Sequence, residues 1–422
     1  MKTTIEQRTS NRQMSRDKLA NLQVEKLNGL LERILPDNRF YDTKLGGKPQ
    51  KFAGFDEFTQ LPYTYKEELA EISGSEFAAN LTYPIEEYVR LHRTSGTRGR
   101  PLVVLDTAKD WEWWMDAWQY VLDAADINQN DRVVTAFSFG PFIGFWSAYD
   151  AVHRRGALVA PAGGMNTPAR IEMIRSLEAT VIFCTPSYAI HMAQVASEHQ
   201  TQVADTSVKT IVVAGEPGGN IPAVREQIEL AWDARVIDHA GASEVGPWGF
   251  ADPDGRGLYV NEIEFIAEFI SIESGQPAED GELSELVLTT LGRDGCPVIR
   301  YRTGDLTRPT WNHQGKCNFV LLDGGVLGRV DDMMIVRGVN IFPSSIEQIL
   351  RSFPEIIEYR MTALKEGAMD RLKIEIEDRL NEPGRVASEL QLRLGLKVEV
   401  ESVAMGTLPR FELKGNRFID ER

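Results

Sequence analysis

Between Tyr88 and Glu244, five short runs rich in β-branched residues alternate with stretches of helical periodicity. The runs are DRVVTAFSF, GALVAPAG, ATVIFCTP, KTIVVAGEP and ARVIDHAGASE; PARIEMIRSLE and IPAVREQIELAW lie between them. Apolar runs of this length, closed by Gly, Pro or small polar residues, read as strands. Strands that are apolar on both sides are buried on both faces, which is the condition of a parallel sheet covered by helices. In such sheets ligands bind beyond the carboxyl ends of the strands, where these Gly and polar turns fall.

The flanks read differently. MSRDKLANLQVEKLNGLLERIL sets Leu19, Leu22, Val24, Leu27, Leu30, Leu31 and Ile34 at helical spacing before Pro36, so a surface helix packed on the domain is expected there. GELSELVLTTL, CPVIRYRTGDL and CNFVLLDGGVLGRVDD read as antiparallel strands. The tail then runs MMIVRGVNIFP (strand), SSIEQILRSFP (helix), RLKIEIED (strand), GRVASELQLRLGL (helix) and KVEVESV (strand). The fold class expected is α/β. A large N-terminal domain, residues 1–328, has helix-covered, mostly parallel sheets plus an antiparallel subdomain, and a small α+β C-terminal domain covers 333–422. The boundary falls near Arg329–Met333, and 422 residues suit two domains.

With 46 Lys and Arg against 62 Asp and Glu, the net charge is −16, which argues against a nucleic-acid or anionic-membrane partner. An anionic ligand must therefore be met by locally placed donors. No apolar stretch approaches a bilayer span, and the opening segment is too polar for a signal peptide. Cys184, Cys296 and Cys317 are far apart, so neither a disulfide framework nor a zinc module is expected, and a reducing, cytoplasmic location fits. The six His form no H-x-x-x-H pair.

RTSGTRGRP (Arg93–Pro101) supplies Thr94, Ser95 and Thr97 as hydroxyl donors, with Gly96 and Gly99 for close backbone approach to an anion. It lacks the G-x-x-x-x-G-K-[ST] of a P-loop NTPase, and alone it reads as a turn. Further along stand AGEPGG (Ala214–Gly219), AGASEVG (Ala240–Gly246), YRTGDL (Tyr301–Leu306), LGRVDDMMIVRGVNIFPSSIE across the domain boundary, and LPRFELKGNR with Lys414. Each is weak alone. Together and in this order they resemble the adenylate-forming superfamily, specifically its phenylacetate–CoA ligase group. The likeness runs from about Tyr63 to the end of the chain and is nearly continuous from Gly328 to Glu347.

The resemblance implies roles by position. Thr94, Ser95, Gly96, Thr97 and Gly99 would handle the β- and γ-phosphates of ATP, and Gly215, Glu216 and Pro217 would run along the adenine. Ser243 would contact the α-phosphate and Glu244 would help hold Mg²⁺. Asp305 would accept from the ribose hydroxyls, with Arg329 as an added donor. Asp331 would mark a hinge at 329–332 about which the small domain moves, and Lys414 would reach the carboxylate and α-phosphate during adenylation. The chain departs from the family in having Arg98 and Arg100 where Thr and Lys are usual, and Leu413 where Gly precedes the lysine. FADPDGRGLYVNE, which follows the Ser-Glu motif, has no Cys, so no structural zinc is expected.

FSFGPFIGFWSAYDA resembles the acyl-pocket wall, giving Phe142, Trp146 and Tyr149 as candidates beside Gly163, Gly164, His239, Ala240 and Gly241. Any one of these rings is as easily plain core, and a lone His more often a satisfied core residue. The activity implied is ATP- and Mg²⁺-dependent adenylation of an aromatic acid, followed by transfer to coenzyme A. Loading of a carrier-protein phosphopantetheine shares every motif, and a degenerate nucleotide-binding scaffold is the alternative from outside enzymology. A homodimer stays open.

Overall fold

The computed structural model describes the chain apart from residues 1–2, 36, 48–50, 71–76, 95–100, 139, 312, 314, 333, 337–338, 367–368, 395–397 and 411–416, and apart from the side chains of 332, 334–336, 339–341, 344, 366 and 369–370. Helices α1 (Ile5–Arg12), α2 (Arg16–Ile34), α3 (Arg39–Lys44), α4 (Phe55–Phe58) and α5 (Lys66–Ala70) open it. A two-stranded antiparallel ribbon, β1 (Tyr88–Arg93) and β2 (Val103–Thr107), follows, then α6 (Ala108–Ala124). The alternating region supplies β3 (Arg132–Thr135), α7 (Ile143–Arg155), β4 (Leu158–Pro161), α8 (Thr167–Ser176), β5 (Val181–Cys184), α9 (Pro186–Glu198), β6 (Thr210–Ala214), α10 (Pro222–Trp232) and β7 (Arg235–Ala242).

Period two along these strands builds two cores at once. Val133, Val181, Phe183, Val212 and Ile237 face α6 and α7. Their neighbours Val134, Ile182, Ile211, Val213 and Val236 face α8, α9 and α10. β7, β6, β5, β3 and β4 are parallel in that order, so the chain leaves β3 to one side and returns to the other. That reversal opens a crevice at the carboxyl ends of the strands.

The sheet is only half parallel, which narrows the expectation of mostly parallel sheets. β8 (Gly246–Ala251), β9 (Gly257–Val260), β14 (Leu321–Asp323) and β13 (Pro309–Thr310) extend it antiparallel to nine strands. β10 (Phe265–Ser271), β11 (Ser284–Thr290), β12 (Tyr301–Thr307) and β15 (Gly328–Arg329) form the expected antiparallel sheet. The helix α2 is the expected surface helix packed on the domain, with Asp17, Asn21, Glu25 and Glu32 exposed and its apolar face inward. Leu27, Leu30, Leu31 and Ile34 are fully buried with Phe58, Ile266 and Leu291, and Gln23 donates to the carbonyls of Glu262 and Phe265.

In the tail, the single strand expected at MMIVRGVNIFP is a hairpin, β16 (Met334–Val336) with β17 (Val339–Ile341). Then come α11 (Pro343–Arg351), β18 (Ile356–Glu366), β19 (Met369–Asp378), α12 (Pro383–Leu394), β20 (Glu399–Ser402) and β21 (Phe418–Asp420). They make a four-stranded sheet, β20-β19-β18-β21, with its own core around Ile346, Leu350, Tyr359, Ile374 and Leu390.

Candidate active site

The ribbon presents the hydroxyl-rich loop. At its neck Thr94 N donates to Leu102 O at 2.9 Å and Leu102 N donates back to Thr94 Oγ1 at 2.9 Å, so this hydroxyl anchors the loop and keeps only its own hydrogen for a ligand. Arg93 N donates to Pro141 O at 2.6 Å, tying the ribbon to the turn before α7. Ser95, Gly96, Thr97 and Gly99, with Arg98 and Arg100, lie outside the described residues.

Gly215, Glu216 and Pro217 follow β6 at the crevice. Glu216 Oε1 accepts from Ser187 N at 2.8 Å, so the segment is held against the first turn of α9. Behind it Asp238 is half-buried, accepts from Asn220 Nδ2 and from His239 N, and has its carboxyl pushed by desolvation up to about 7. No sequence signal marks Asp238, because a lone Asp before a turn is ordinary.

Ser243 and Glu244 form the turn that reverses β7 into β8. Glu244 is buried, and its Oε1 accepts from the Tyr301 hydroxyl at 2.9 Å. Burial, and then the adjacent Glu244 charge, raise the Tyr301 phenol well above its ordinary value, so it stays a donor. Lys66 Nζ stands 3.8 Å from the same oxygen. Its place is set by Thr64, which exchanges main-chain hydrogen bonds with Arg300 and Arg302 and so stitches the segment before α5 to β12. Sequence reading did not single out Lys66 or Tyr301. The other Glu244 oxygen accepts no hydrogen bond among the described residues. One carboxylate oxygen is what a Mg²⁺ ion carried mainly by nucleotide phosphates needs from the protein, so the residues fit that ion.

Asp305 and Arg329 are register partners on β12 and β15. Arg329 Nη1 donates to Asp305 Oδ1 at 2.9 Å and Nη2 to Thr303 O at 3.0 Å. Gly304 makes this possible: its φ is +74°, and a Cβ there would sit 2.8 Å from Arg329 Nη2. Asp331 lies just beyond, 4.0 Å from Arg329 Nη2. Lys414 and Leu413 lie outside the described residues.

His239 and Gly241 stand where β7 ends. His239 Nδ1 lies 2.7 Å from Gly249 O, and a carbonyl only accepts, so Nδ1 carries the proton and Nε2 is an acceptor that meets no donor among the described residues. Burial lowers the imidazole to about 4, so it is neutral at physiological pH. The ring packs on Trp118 at 4.2 Å, and Nε2 borders the exposed face of Gly241, where a Cβ would come within 3.4 Å. Ala240 is half-buried beside it. Phe142 caps α7 and is exposed, Trp146 Nε1 donates to Gly140 O at 3.0 Å, and Tyr149 stacks on Phe145 at 6.3 Å. Gly163 and Gly164 form the turn after β4. The three cysteines are free and buried, and burial raises each thiol, Cys296 and Cys317 to about 12, so none is a thiolate nucleophile. Among the described residues no group of three His, Cys, Asp or Glu is placed to hold a metal ion.

Known proteins carry the same plan. Residues 74–286 match the AMP-binding enzyme family and residues 338–422 match the AMP-binding enzyme C-terminal domain. The phenylacetate-coenzyme A ligase of Escherichia coli (strain K12) is 31% identical, covering 96% of this chain and 95% of the relative. That of Thermus thermophilus is 30% identical over 86% of this chain and 82% of the relative. Among solved structures, 2-hydroxyisobutyryl-CoA ligase in the postadenylation state with 2-HIB-AMP superposes with a TM-score of 0.91 at 26% identity, covering 98% of this chain and 91% of that one. The same ligase in the thioesterification state, with 2-HIB-AMP and CoA, gives 0.74 at 25% identity, covering 100% and 94%. The chain belongs to the AMP-binding, adenylate-forming enzymes, and within them to the phenylacetate–CoA ligase group. It is an AMP-forming acid–thiol ligase acting on a small-molecule carboxylic acid.

Proposed function

We propose that the chain adenylates an aromatic acid, aryl or arylacetic, and passes the acyl group to coenzyme A. The observation that carries the reading is the convergence of Glu244, Tyr301, Lys66 and the Asp305–Arg329 pair on one edge of the crevice. A carboxylate is a poor acyl donor because its leaving group would be oxide. One carboxylate oxygen attacks the α-phosphorus of ATP, the bond to the bridging oxygen breaks, and pyrophosphate leaves with that electron pair. The thiol sulfur then attacks the acyl carbon of the adenylate, its proton departs, and the carbon–oxygen bond to AMP breaks.

Protein groups act mainly by position and charge. Asp305 and Arg329 face the ribose, Ser243 the α-phosphate, and Glu216 braces the adenine segment. Bound at Glu244, Mg²⁺ supplies neutralisation of the phosphate charge. Lys66, beside Glu244, is a further cation for the phosphates. Lys414 is assigned to the carboxylate and α-phosphate in the first half-reaction.

Residues 1–328 form the adenylation domain in this reading, 333–422 a mobile lid, and 329–332 the hinge, with Asp331 at its centre. The higher TM-score to the postadenylation state than to the thioesterification state supports an arrangement on the adenylation side of the cycle. The aromatic substrate rests on the names of the relatives at 30–31% identity and on Phe142 at the mouth of α7. A second reading, a small hydroxy acid, is favoured by the acceptor nitrogen Nε2 of His239 and by the 2-hydroxyisobutyryl-CoA ligase neighbours. Three free, buried cysteines support a reducing, cytoplasmic setting. No helix among the described residues is long and apolar enough to cross a membrane.

The test is pyrophosphate release with Mg·ATP, coenzyme A and a panel of benzoic, hydroxybenzoic, phenylacetic, small hydroxy and medium-chain fatty acids, with the thioester read by mass. An aryl thioester is expected. A thioester confined to hydroxy aliphatic acids would select the second reading, and pyrophosphate without thioester would point to a carrier protein as acceptor.

A further inference from the structure

Beneath the site lies an ion pair that the mechanism above does not use. Asp106 on β2 and Arg293, in the turn after β11, are both fully buried, with Arg293 Nε 2.8 Å from Asp106 Oδ1. Charged groups withdrawn from water are costly, and replacing such a pair by apolar residues is often neutral or stabilising. Stability alone is therefore a weak reason for it.

Its contacts give a better one. Arg293 Nη1 donates to the main-chain carbonyl of Ser243 at 2.9 Å, gripping the turn that carries Ser243 and Glu244. Asp106 sits on the strand that leaves the phosphate loop, and its other oxygen, Oδ2, lies 3.9 Å from Nδ1 of His92 on the strand that enters it. Trp114 Nε1 donates to Asp106 Oδ1 at 3.2 Å, and the Arg293 guanidinium lies over the Trp114 ring at 5.5 Å. The backbone after Arg293 is fixed as well, because Asp110 Oδ1 accepts from Asp294 N at 2.7 Å and from Gly295 N at 3.1 Å. A chain of hydrogen bonds thus runs from Asp106 on β2 through Arg293 to the Ser243–Glu244 turn.

We infer that Asp106 and Arg293 are positioning residues for adenylation, holding the Ser243–Glu244 turn in fixed register with the β1–β2 ribbon that carries Thr94. The inference rests on the ligase reading above. Neither side chain touches substrate; both act through the turn. The fork of Arg293 spans two acceptors at once, which a lysine does not reproduce. Misplacing reacting groups by an ångström costs on the order of a hundredfold. The loss belongs to the step in which Glu244 and the phosphate loop must act together, and that is adenylation. Once pyrophosphate has left, that demand is gone.

The test compares both half-reactions in the full-length enzyme carrying Arg293→Lys or Asp106→Asn. Adenylation is followed by ATP–pyrophosphate exchange, and thioester formation by supplying a synthetic acyl adenylate with coenzyme A. Expected is a fall of roughly ten- to a hundredfold in kcat for exchange, the KM for the acid changing little, while thioester formation stays within about threefold of the parent. A purely structural role lowers the amount of active enzyme and scales both half-reactions equally. Equal losses, or no loss in exchange, overturn the proposal. Arg293→Lys keeps the buried charge, so it decides the matter if Asp106→Asn does not fold. Failure of the ligase reading shows separately, as absence of exchange in the unaltered enzyme with every acid.

Discussion

The Tyr301 hydroxyl donates to Glu244 Oε1 across 2.9 Å, joining the antiparallel sheet to the turn at the end of β7. Tyr301→Phe keeps the ring in its buried place and removes only this bond. Hydrogen bonds to a charged group contribute about 1.5–3 kcal/mol. A fall of about tenfold or more in kcat for pyrophosphate exchange is expected, with a raised Mg²⁺ requirement. Exchange titrated with Mg²⁺ checks it; an unchanged curve would detach Tyr301 from the site.

Lys66 is half-exposed and lies 3.8 Å from Glu244 Oε1, too far for a firm pair and well placed to turn toward phosphate. Lys66→Met should leave the melting temperature nearly unchanged and raise the KM for ATP by roughly tenfold. Steady-state kinetics with ATP varied would show it. A KM equal to that of the parent removes Lys66 from nucleotide binding.

Arg329 holds Asp305 by one nitrogen and Thr303 O by the other. Arg329→Ala is expected to weaken ATP binding by roughly tenfold, since Asp305, the carboxylate proposed for the ribose, loses its brace. Arg329→Lys should recover part of that affinity. Calorimetric titration with ATP measures both, and equal affinities in all three proteins would contradict the assignment.

Asp238, half-buried, and His239, buried, are adjacent and shifted in opposite senses. Burial raises Asp238 from 3.8 to about 7, so between these values the native state holds a proton that the unfolded chain has lost, and stability falls as pH rises through the window. Burial lowers His239 from 6.5 to about 4, so there the unfolded chain binds the extra proton and stability rises with pH. Each slope amounts to on the order of 3 kcal/mol across its window. Asp238→Asn should leave the histidine slope alone, so its melting temperature should climb more steeply between about pH 4 and 6.5 than that of the parent. Parallel curves would show that Asp238 is ionised in the native protein.

The parallel strands were legible because Val, Ile and Phe face both ways along them, and the ligase motifs because Gly328–Glu347 is nearly continuous. β8 escaped notice because GPWGFA carries two glycines and a proline, poor strand formers that here pair between β7 and β9. The strand β18 hid in IIEYRMTALKE, whose Met, Ala, Leu, Lys and Glu favour helix until β19 and β21 flank it. The contacts made by Lys66, Tyr301, Asp106 and Arg293 left no trace in the sequence for one reason. Each residue acts through a contact with a residue distant in the chain, and a lone Lys, Tyr, Asp or Arg carries no local signature.

The most direct test of the adenylation chemistry is to follow heavy oxygen from a labelled carboxylate. An acid accepted by the enzyme, labelled in both carboxylate oxygens, is incubated with Mg·ATP and coenzyme A, and the nucleotide product is read by mass spectrometry. If the carboxylate attacks the α-phosphorus, the product is AMP carrying one labelled oxygen, formed together with the acyl thioester. Unlabelled AMP, or ADP with labelled inorganic phosphate, would show that the acid is activated by another route and would contradict the account.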